Sequence, residues 1–382
     1  MHIVVNAQLI SDQHSYRSAG MSNYSRHLLA ALGPLAAERN LRLTALTNKP
    51  ELALPGVDMR ATKLPLHRPS ARIAWEQLVL PGTLRRMGAD MVHGLVNVLP
   101  LATEIPGVVT VHDLSFLHLP QVLPPAKRIY LSALCRMSAR KAAAVIAVSR
   151  QTADDVVRCF GVPAHKVIVA HNGVDARFSP ASAERVEAFR RRKHLPERFF
   201  LFLGTLEPRK NLTTLLVAFA RWRRAAGSEH TDFKLVIAGG KGWYYDTIFT
   251  QVGELGLRDS VIFPGYVPDE ELPDWYRAAT AFVFPSVFEG FGLPVLEALA
   301  SGTPVLCSEL SALREIAGGG TQPAAILVPP EDIDAWVAGM ALLAGQPALR
   351  EELRRRGLAR AGGFSWQSAA RHTLNAYGMA VP

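Results

Sequence analysis

The chain has 382 residues, 49% of them hydrophobic and 20% charged, with a formal net charge of +9. That length exceeds one ordinary core and points to two domains, and the composition suits a soluble globular enzyme. Its three cysteines, Cys135, Cys159 and Cys307, are far apart with no C-x-x-C pair. This argues against a disulfide framework and a zinc site and for a reducing compartment, and no apolar run approaches the ~18 residues that span a bilayer.

The chain enters Ile3-Val4-Val5 directly, with no signal-peptide pattern before it, so the expected location is the cytoplasm. Apolar runs rich in Val, Ile and Phe predict buried parallel strands at 2–7, 42–47, 90–93, 107–112, 143–148 and 166–170. Helical segments lie between most of them, among them 22–37, 71–87 and 150–160. A polar break follows at 175–198, where Phe178-Ser179-Pro180 precedes a charged helix ending in Arg190-Arg191-Arg192-Lys193. A second series of strands is expected at 199–204, 233–238, 261–263, 281–284, 304–307 and 325–328, and a last helix from Ser365 to about Gly378. Strand–helix alternation on this scale predicts an α/β protein with two Rossmann-like, doubly wound domains. The expected bounds are 1–178, 179–363 and, for the last helix, 364–382.

Two such halves invite a dehydrogenase reading, and the sequence argues against it. The dinucleotide fingerprint needs G-x-G-x-x-G straight after a strand. The first strand is followed by Asn6-Ala7-Gln8-Leu9-Ile10, and Gly239-Gly240-Lys241-Gly242 has the wrong spacing. No P-loop pattern is present.

The charge is unevenly placed. Residues 1–178 hold 20 Lys and Arg against 11 Asp and Glu, a net of +9, whereas residues 179–382 hold 22 against 22. An anionic partner is therefore expected for the first half only. Segment 126–141 carries Lys127, Arg128, Arg136, Arg140 and Lys141, with Tyr130, Leu134 and Met137 on another face. It reads either as an ordinary amphipathic helix of the domain or as a helix on an anionic membrane surface that presents a lipid-linked acceptor. No recognition motif accompanies the charge, so no nucleic acid is expected.

The chemistry concentrates in Glu289-Gly290-Phe291-Gly292-Leu293-Pro294-Val295-Leu296-Glu297. Two carboxylates bracket a glycine-rich turn after the strand Ala281–Phe284. Pro294 suits a first helical turn and Gly302 a helix end. The N–H groups of a helix start beside an opened backbone hold an anion or a ring of hydroxyls. Lys210 follows the strand Phe199–Leu203 and opens the next helix near Asn211, so a cation and a helix N-terminus point the same way. His112 ends the strand that begins at Gly107, beside Asp113. In open sheets ligands bind at the carboxyl ends of strands, so these motifs are expected to converge on one interdomain cleft.

The Glu289–Glu297 segment resembles the E-x7-E signature of retaining glycosyltransferase family 4, enzymes of the GT-B fold. Other pieces match in the same order: Ala19-Gly20-Met21-Ser22-Asn23-Tyr24, Val111-His112-Asp113-Leu114, Ala147-Val148-Ser149, Asn172-Gly173-Val174-Asp175, Gly204 to Asn211 and Ala238-Gly239-Gly240. The resemblance spans nearly the whole chain. It implies that Arg209 and Lys210 meet the donor phosphates, with Arg209 standing in for the arginine usually found at Thr205. It implies that His112 hydrogen-bonds the transferred sugar, Glu289 the sugar hydroxyls and Glu297 the ribose. Phe291, Gly292 and Leu293 are expected to offer backbone groups along the donor. Gly20, in the loop after the first strand, is expected to let backbone approach a phosphate. The catalytic set is thus His112, Lys210 and Glu289, with Asp113 fixing its loop. In GT-B enzymes the final helix crosses back onto the first domain, and Phe364-Ser365-Trp366 resembles its start.

Asp332-Ile333-Asp334 mimics a D-x-D metal motif but follows Pro329-Pro330 at a helix start, so capping is expected and no metal or cofactor is called for. The Val111–Phe116, Gly204–Asn211 and Gly239–Trp243 segments resemble bacterial mannosyltransferases of polysaccharide assembly. They imply GDP-mannose as donor and a lipid-linked or oligosaccharide acceptor. A sugar-nucleotide epimerase or phosphorylase of the same fold, and a non-catalytic sugar-nucleotide-binding module, remain alternatives.

Overall fold

The computed structural model describes residues 1–10, 19–62, 69–120, 125–227, 232–240, 242 and 246–380. Lys241 and Trp243 of the glycine-rich segment, and the side chain of Lys127, lie outside the described residues. The chain divides into two compact units: Met1–Gly173 with Ser365–Pro382, and Val174–Phe364.

The first unit is a seven-stranded sheet of β1 (His2–Asn6), β2 (Arg42–Thr47), β3 (Val57–Ala61), β4 (Met91–Gly94), β5 (Gly107–Val111), β6 (Ala144–Ala147) and β7 (Val167–Val169). The order is β3-β2-β1-β4-β5-β6-β7, with every pair parallel. The strands β4, β5 and β6 are buried along their whole length, as continuous apolar runs require when helices cover both faces. The strand β3 is the exception to the sequence reading, which placed no strand there. It is an edge strand, Val-Asp-Met-Arg-Ala, and mostly exposed, so its sequence carries no apolar run. The helix expected at 71–87 forms as Pro69–Ala74, a π-helical turn Trp75–Val79 and Leu80–Arg86.

The second unit is a six-stranded sheet of β8 (Phe199–Leu203), β9 (Lys234–Ala238), β10 (Val261–Gly265), β11 (Ala281–Phe284), β12 (Val305–Ser308) and β13 (Ile326–Val328). Its order is β10-β9-β8-β11-β12-β13, again all parallel. Each sheet therefore reverses its winding once, between β1 and β4 in the first and between β8 and β11 in the second. Such switch points are where open α/β sheets bind ligands.

The last helix, Trp366–Ala380, belongs to the first unit. Trp366 stacks on His27 at 5.4 Å between ring centroids and meets Tyr24 edge-on at 5.9 Å. His93 Nδ1 and the Tyr377 hydroxyl are 2.8 Å apart, and His93 Nε2 and Thr110 Oγ1 are 3.0 Å apart. Thr110 also meets the Tyr24 hydroxyl at 3.2 Å. Burial, with His112 nearby, pushes the His93 ring down to about 3, so this buried chain of hydrogen bonds is uncharged. Gly173 lies where the chain leaves the unit: a Cβ there would meet the Trp366 backbone N at 2.1 Å, so only glycine fits against the returning segment.

The segment expected to be helical at 126–141 forms the helix Pro125–Lys141. Its core face is Cys135, Ser138 and Ala139, while Met137 is exposed. Arg136 donates to the Cys159 carbonyl at 3.2 Å, Arg140 to Phe160 at 2.6 Å and Lys141 to Thr103 at 2.6 Å. Helical spacing correctly gave a helix, and Leu131 packs against the same core as Cys135 and Ala139.

Candidate active site

The two loops at the switch point of the second unit carry the residues singled out in the sequence. After β8 the chain makes a 3₁₀ turn, Pro208–Lys210, and passes Asn211, in the left-handed region at φ 52°, into the helix Leu212–Ala226. The Asn211 side chain holds this geometry, donating to the Pro330 carbonyl at 2.9 Å and accepting from Thr214 Oγ1 at 2.8 Å. After β11 the chain runs through residues 285–292 into the helix Leu293–Ala300. Gly292 precedes that helix with φ 111°, a conformation closed to most side chains. Pro294 sits in its first turn, as the sequence pattern requires.

Four ionisable groups join the two loops. Lys210 Nζ donates to Glu289 Oε1 at 2.7 Å and lies 4.6 Å from the centre of the Phe284 ring. The Arg209 guanidinium reaches Glu289 Oε2 at 2.9 Å, donates to the Phe288 carbonyl at 2.8 Å, and pairs with Glu207 Oε1 at 2.7 Å. The backbone adds a bond from Val287 N to the Arg209 carbonyl at 3.0 Å. Lys210, Glu289 and Glu207 are all buried. Burial alone would raise the Glu289 carboxyl; Arg209 and Lys210 outweigh it and hold it at about 2. Burial draws the Lys210 ammonium below its usual range, and Glu289 opposes that. With Glu289 ionised, the cluster is two cations against two carboxylates.

This is a correction in one respect. The sequence reading expected Lys210 and Glu289 to face an open cleft. They form a buried pair, because the motif residues that carry chemistry also close the junction between two loops.

Glu297 belongs to a second cluster. Its Oε2 accepts from the Tyr276 hydroxyl at 2.9 Å. Arg177, paired with Asp269 at 2.6 Å, acts on it electrostatically, as do Asp175 and Asp269. Burial lifts the Glu297 carboxyl to about 7; Tyr276 and Arg177 pull against the rise, and the two aspartates add to it. Glu289 and Glu297 thus differ in kind, one a fixed anion and the other a group that titrates near neutrality. The segment Phe291-Gly292-Leu293 lies between them, with the Phe291 ring buried and 6.0 Å from that of Phe364.

In the first unit, His112 follows β5. Its Nε2 lies 2.8 Å from the Leu95 carbonyl, which only accepts, so Nε2 carries the proton and Nδ1 offers a lone pair. Its backbone N–H donates to Asn97 Oδ1 at 3.0 Å, and Tyr24 packs edge-on against the ring at 4.5 Å. Burial lowers the His112 pKa, keeping the ring neutral. Asp113 holds the following turn, accepting from Ser115 N at 2.9 Å and Ser115 Oγ at 2.7 Å. Gly20 is a second correction. It is the second residue of the helix Ala19–Glu38 and not part of a loop. The helix starts three residues earlier than the apolar pattern indicated, because Gly20 has no side chain to contribute to that pattern.

Asp332 caps the helix Ile333–Gly345, accepting from Ala335 N at 3.0 Å. Among the described residues, His118, Asp155 and Cys159 bring metal-capable atoms within 4.8 Å of one another, and Asp155 already pairs with His118 at 3.0 Å and with Arg158. Sequence reasoning left Glu207, Tyr276, Arg177, Tyr24 and Asn97 without roles. Glu207 had a signal, being two residues before Arg209. Tyr276 and Arg177 had none, because the groups they meet are remote in sequence.

Residues 19–178 match the family described as Glycosyltransferase Family 4, and residues 185–360 match Glycosyl transferases group 1. The chain is 34% identical to the O-antigen chain mannosyltransferase B of Escherichia coli, over 75% of this chain and 73% of that protein. It is 29% identical to the O-antigen chain mannosyltransferase RfbU of Salmonella typhimurium, over 60% of this chain and 58% of that one. A D-inositol 3-phosphate glycosyltransferase of Kineococcus radiotolerans is 33% identical, over 59% of this chain and 55% of its own. Among solved structures, the sucrose-phosphate synthase of Thermosynechococcus elongatus matches 99% of this chain and 98% of its own with a TM-score of 0.80 at 22% identity. Anabaena HepE in complex with UDP and glucose matches 99% of both chains with a TM-score of 0.73 at 16% identity.

Two outcomes follow from the two clusters. Lys210→Met leaves Glu289 buried with one cation fewer, and breaking such a pair typically costs about 3–5 kcal/mol. Urea unfolding should show a loss of that order; a change below ~1 kcal/mol would contradict the buried-pair description. For Glu297 the native carboxyl stays protonated above the usual value of 4.5, up to about 7. The parent therefore loses stability as pH rises through that window, and Glu297→Gln does not. The variant's stability relative to the parent should climb between those values, by at most about 3 kcal/mol, and level off above. A pH-independent difference would contradict the raised carboxyl.

Proposed function

We propose that this chain, which belongs to glycosyltransferase family 4, transfers a hexose with retention from a nucleotide-sugar donor to a lipid-linked or oligosaccharide acceptor. Mannose from GDP-mannose is the first choice. The observation that carries the reading is the Glu207–Arg209–Glu289–Lys210 cluster at the switch point of the second unit. The mannosyltransferase names of two relatives support the choice of sugar.

Breaking the glycosidic bond of such a donor builds negative charge on the leaving diphosphate. Fixed positive groups stabilise that charge without having to reorganise. Arg209 is held on three sides, so its guanidinium is already oriented. Lys210 stands beside it. Together they supply the charge a divalent ion would otherwise bring, and we assign no metal. Glu289, ionised and paired, is not a proton donor; its remaining lone pairs suit the hydroxyls of the transferred sugar. The Phe291-Gly292-Leu293 backbone lies along the donor, and Glu297 takes the ribose. The Nδ1 lone pair of His112 accepts from a sugar hydroxyl. No carboxylate is assigned as a nucleophile. The acceptor attacks on the face the diphosphate leaves, and the diphosphate takes the acceptor proton.

Incubation with GDP-mannose and other nucleotide sugars, with and without a lipid-linked oligosaccharide, tests the reading. Acceptor-dependent release of the nucleoside diphosphate is expected. An acceptor-independent sugar isomerisation would favour an epimerase, a requirement for free phosphate a phosphorylase, and binding without turnover a non-catalytic module. His112→Ala should lose ~10²–10³ in turnover while keeping its calorimetric affinity for GDP; loss of both would make His112 structural.

The finer location we propose is the surface of an anionic membrane. The first unit carries all the excess charge and exposes Leu78 and Val79 on one segment and Ile129 and Met137 on another. Co-sedimentation with anionic vesicles at low salt, released at high salt and absent with neutral vesicles, is the expected result. A parent protein that ignores anionic vesicles at low salt refutes the proposal.

A further inference from the structure

The transfer chemistry leaves one cluster of side chains in the first unit unused. The helix Arg150–Phe160 opens on Ser149, whose hydroxyl accepts from Thr152 N at 3.0 Å, and ends at Gly161 with φ 69°. Asp155 and Cys159 are four residues apart and share one face of it. Asp155 is buried although it is a carboxylate, and Cys159 packs half-buried against the core of the unit. The short helix Ser115–His118, which follows the turn held by Asp113, brings the exposed His118 to the same place. His118 Nε2 donates to Asp155 Oδ2 at 3.0 Å, and one donor atom each from His118, Asp155 and Cys159 lies within 4.8 Å of the other two.

An imidazole, a carboxylate and a thiol form a donor set with a definite preference. Zinc takes imidazole nitrogen at ~2.0–2.1 Å, carboxylate oxygen at ~2.0–2.2 Å and thiolate sulfur at ~2.3 Å, and a tetrahedron of those lengths sets the donors roughly 3.4–3.6 Å apart. Small side-chain rotations therefore separate this arrangement from coordination. Two ligands one helical turn apart, with a third from another segment, are a recurrent zinc arrangement. Imidazole and thiolate favour zinc-like ions over magnesium or calcium. The exposure of His118 gives an ion a way in and leaves room for water as a fourth ligand. The Arg158 guanidinium, largely exposed, donates to Asp155 Oδ1 and also hydrogen-bonds Cys159, so a cationic group already rests against two of the three donors. The lack of a C-x-x-C pair does not bear on such a site, because only one of its donors is a cysteine.

We propose that His118, Asp155 and Cys159 bind one zinc-like divalent ion, apart from the transfer chemistry. The ion clamps the segment after the Asp113 turn onto the helix Arg150–Phe160. On binding it replaces the proton that His118 Nε2 gives to Asp155 and the thiol proton of Cys159, and both protons leave to solvent. The inference does not depend on the glycosyltransferase reading.

Titration of the full chain, without a histidine tag and stripped by a chelator, with Co²⁺ and then Zn²⁺ tests it. One equivalent of Co²⁺ should give a thiolate-to-cobalt charge-transfer band in the near ultraviolet, and Zn²⁺ should displace it. Zn²⁺ should also raise the thermal midpoint of the parent, by mass action on the folded state, and Mg²⁺ should not. The charge-transfer band should vanish in Cys159→Ser and persist in Cys307→Ser. Calorimetric affinity for Zn²⁺ should fall at least about tenfold in His118→Ala and in Asp155→Asn, the loss that even an indirect partner of a metal ligand causes. It should tighten in Arg158→Ala, where the competing guanidinium is gone. His118 is exposed, so His118→Ala decides if Asp155→Asn fails to fold. No charge-transfer band in the parent, a band that survives Cys159→Ser, unchanged Zn²⁺ affinity in His118→Ala, or no tightening in Arg158→Ala overturns the proposal.

Discussion

Two carboxylates and two cations, all but Arg209 buried, join the two loops at the switch point of the second unit. Burying any one of Glu207, Lys210 and Glu289 alone carries a large desolvation penalty. Each is tolerable because its neighbours neutralise it, and the neighbours come from loops after two adjacent strands. The loops cannot shift independently without separating charge in a low-dielectric setting. The same interaction that fixes their geometry leaves a guanidinium and an ammonium side by side at the carboxyl end of the sheet.

A similar economy governs the first unit, where neutral groups do the work. His93, Thr110, Tyr24 and Tyr377 form a buried hydrogen-bonded chain that ties the last helix to the sheet. Tyr24 also packs on His112, and the Leu95 carbonyl sets the tautomer of that ring. The returning helix is thus linked to the surroundings of His112 through packing rather than charge.

The sequence made most of the scaffold legible. Strands buried on both faces, such as β5 and β8, are written as unbroken apolar runs, and among the described residues twelve of the thirteen strands lie where such runs predict them. The strand β3 was missed because it is an exposed edge whose residues are mostly polar. Lys210, Glu289 and Arg209 were legible as motif residues, since a cation near a helix start and a glycine-rich turn have a recognisable spacing. Their burial was not, because it depends on two loops 79 residues apart meeting through Lys210 and Glu289.

The central claim is that Arg209 and Lys210 receive the diphosphate of the donor. The most direct measurement compares calorimetric affinities for a nucleoside and its diphosphate, guanosine against GDP and uridine against UDP, in the parent and in Arg209→Met. The parent should bind one diphosphate more tightly than its nucleoside, and in the variant that increment should fall while nucleoside affinity is unchanged. An increment that survives intact in Arg209→Met would contradict the account.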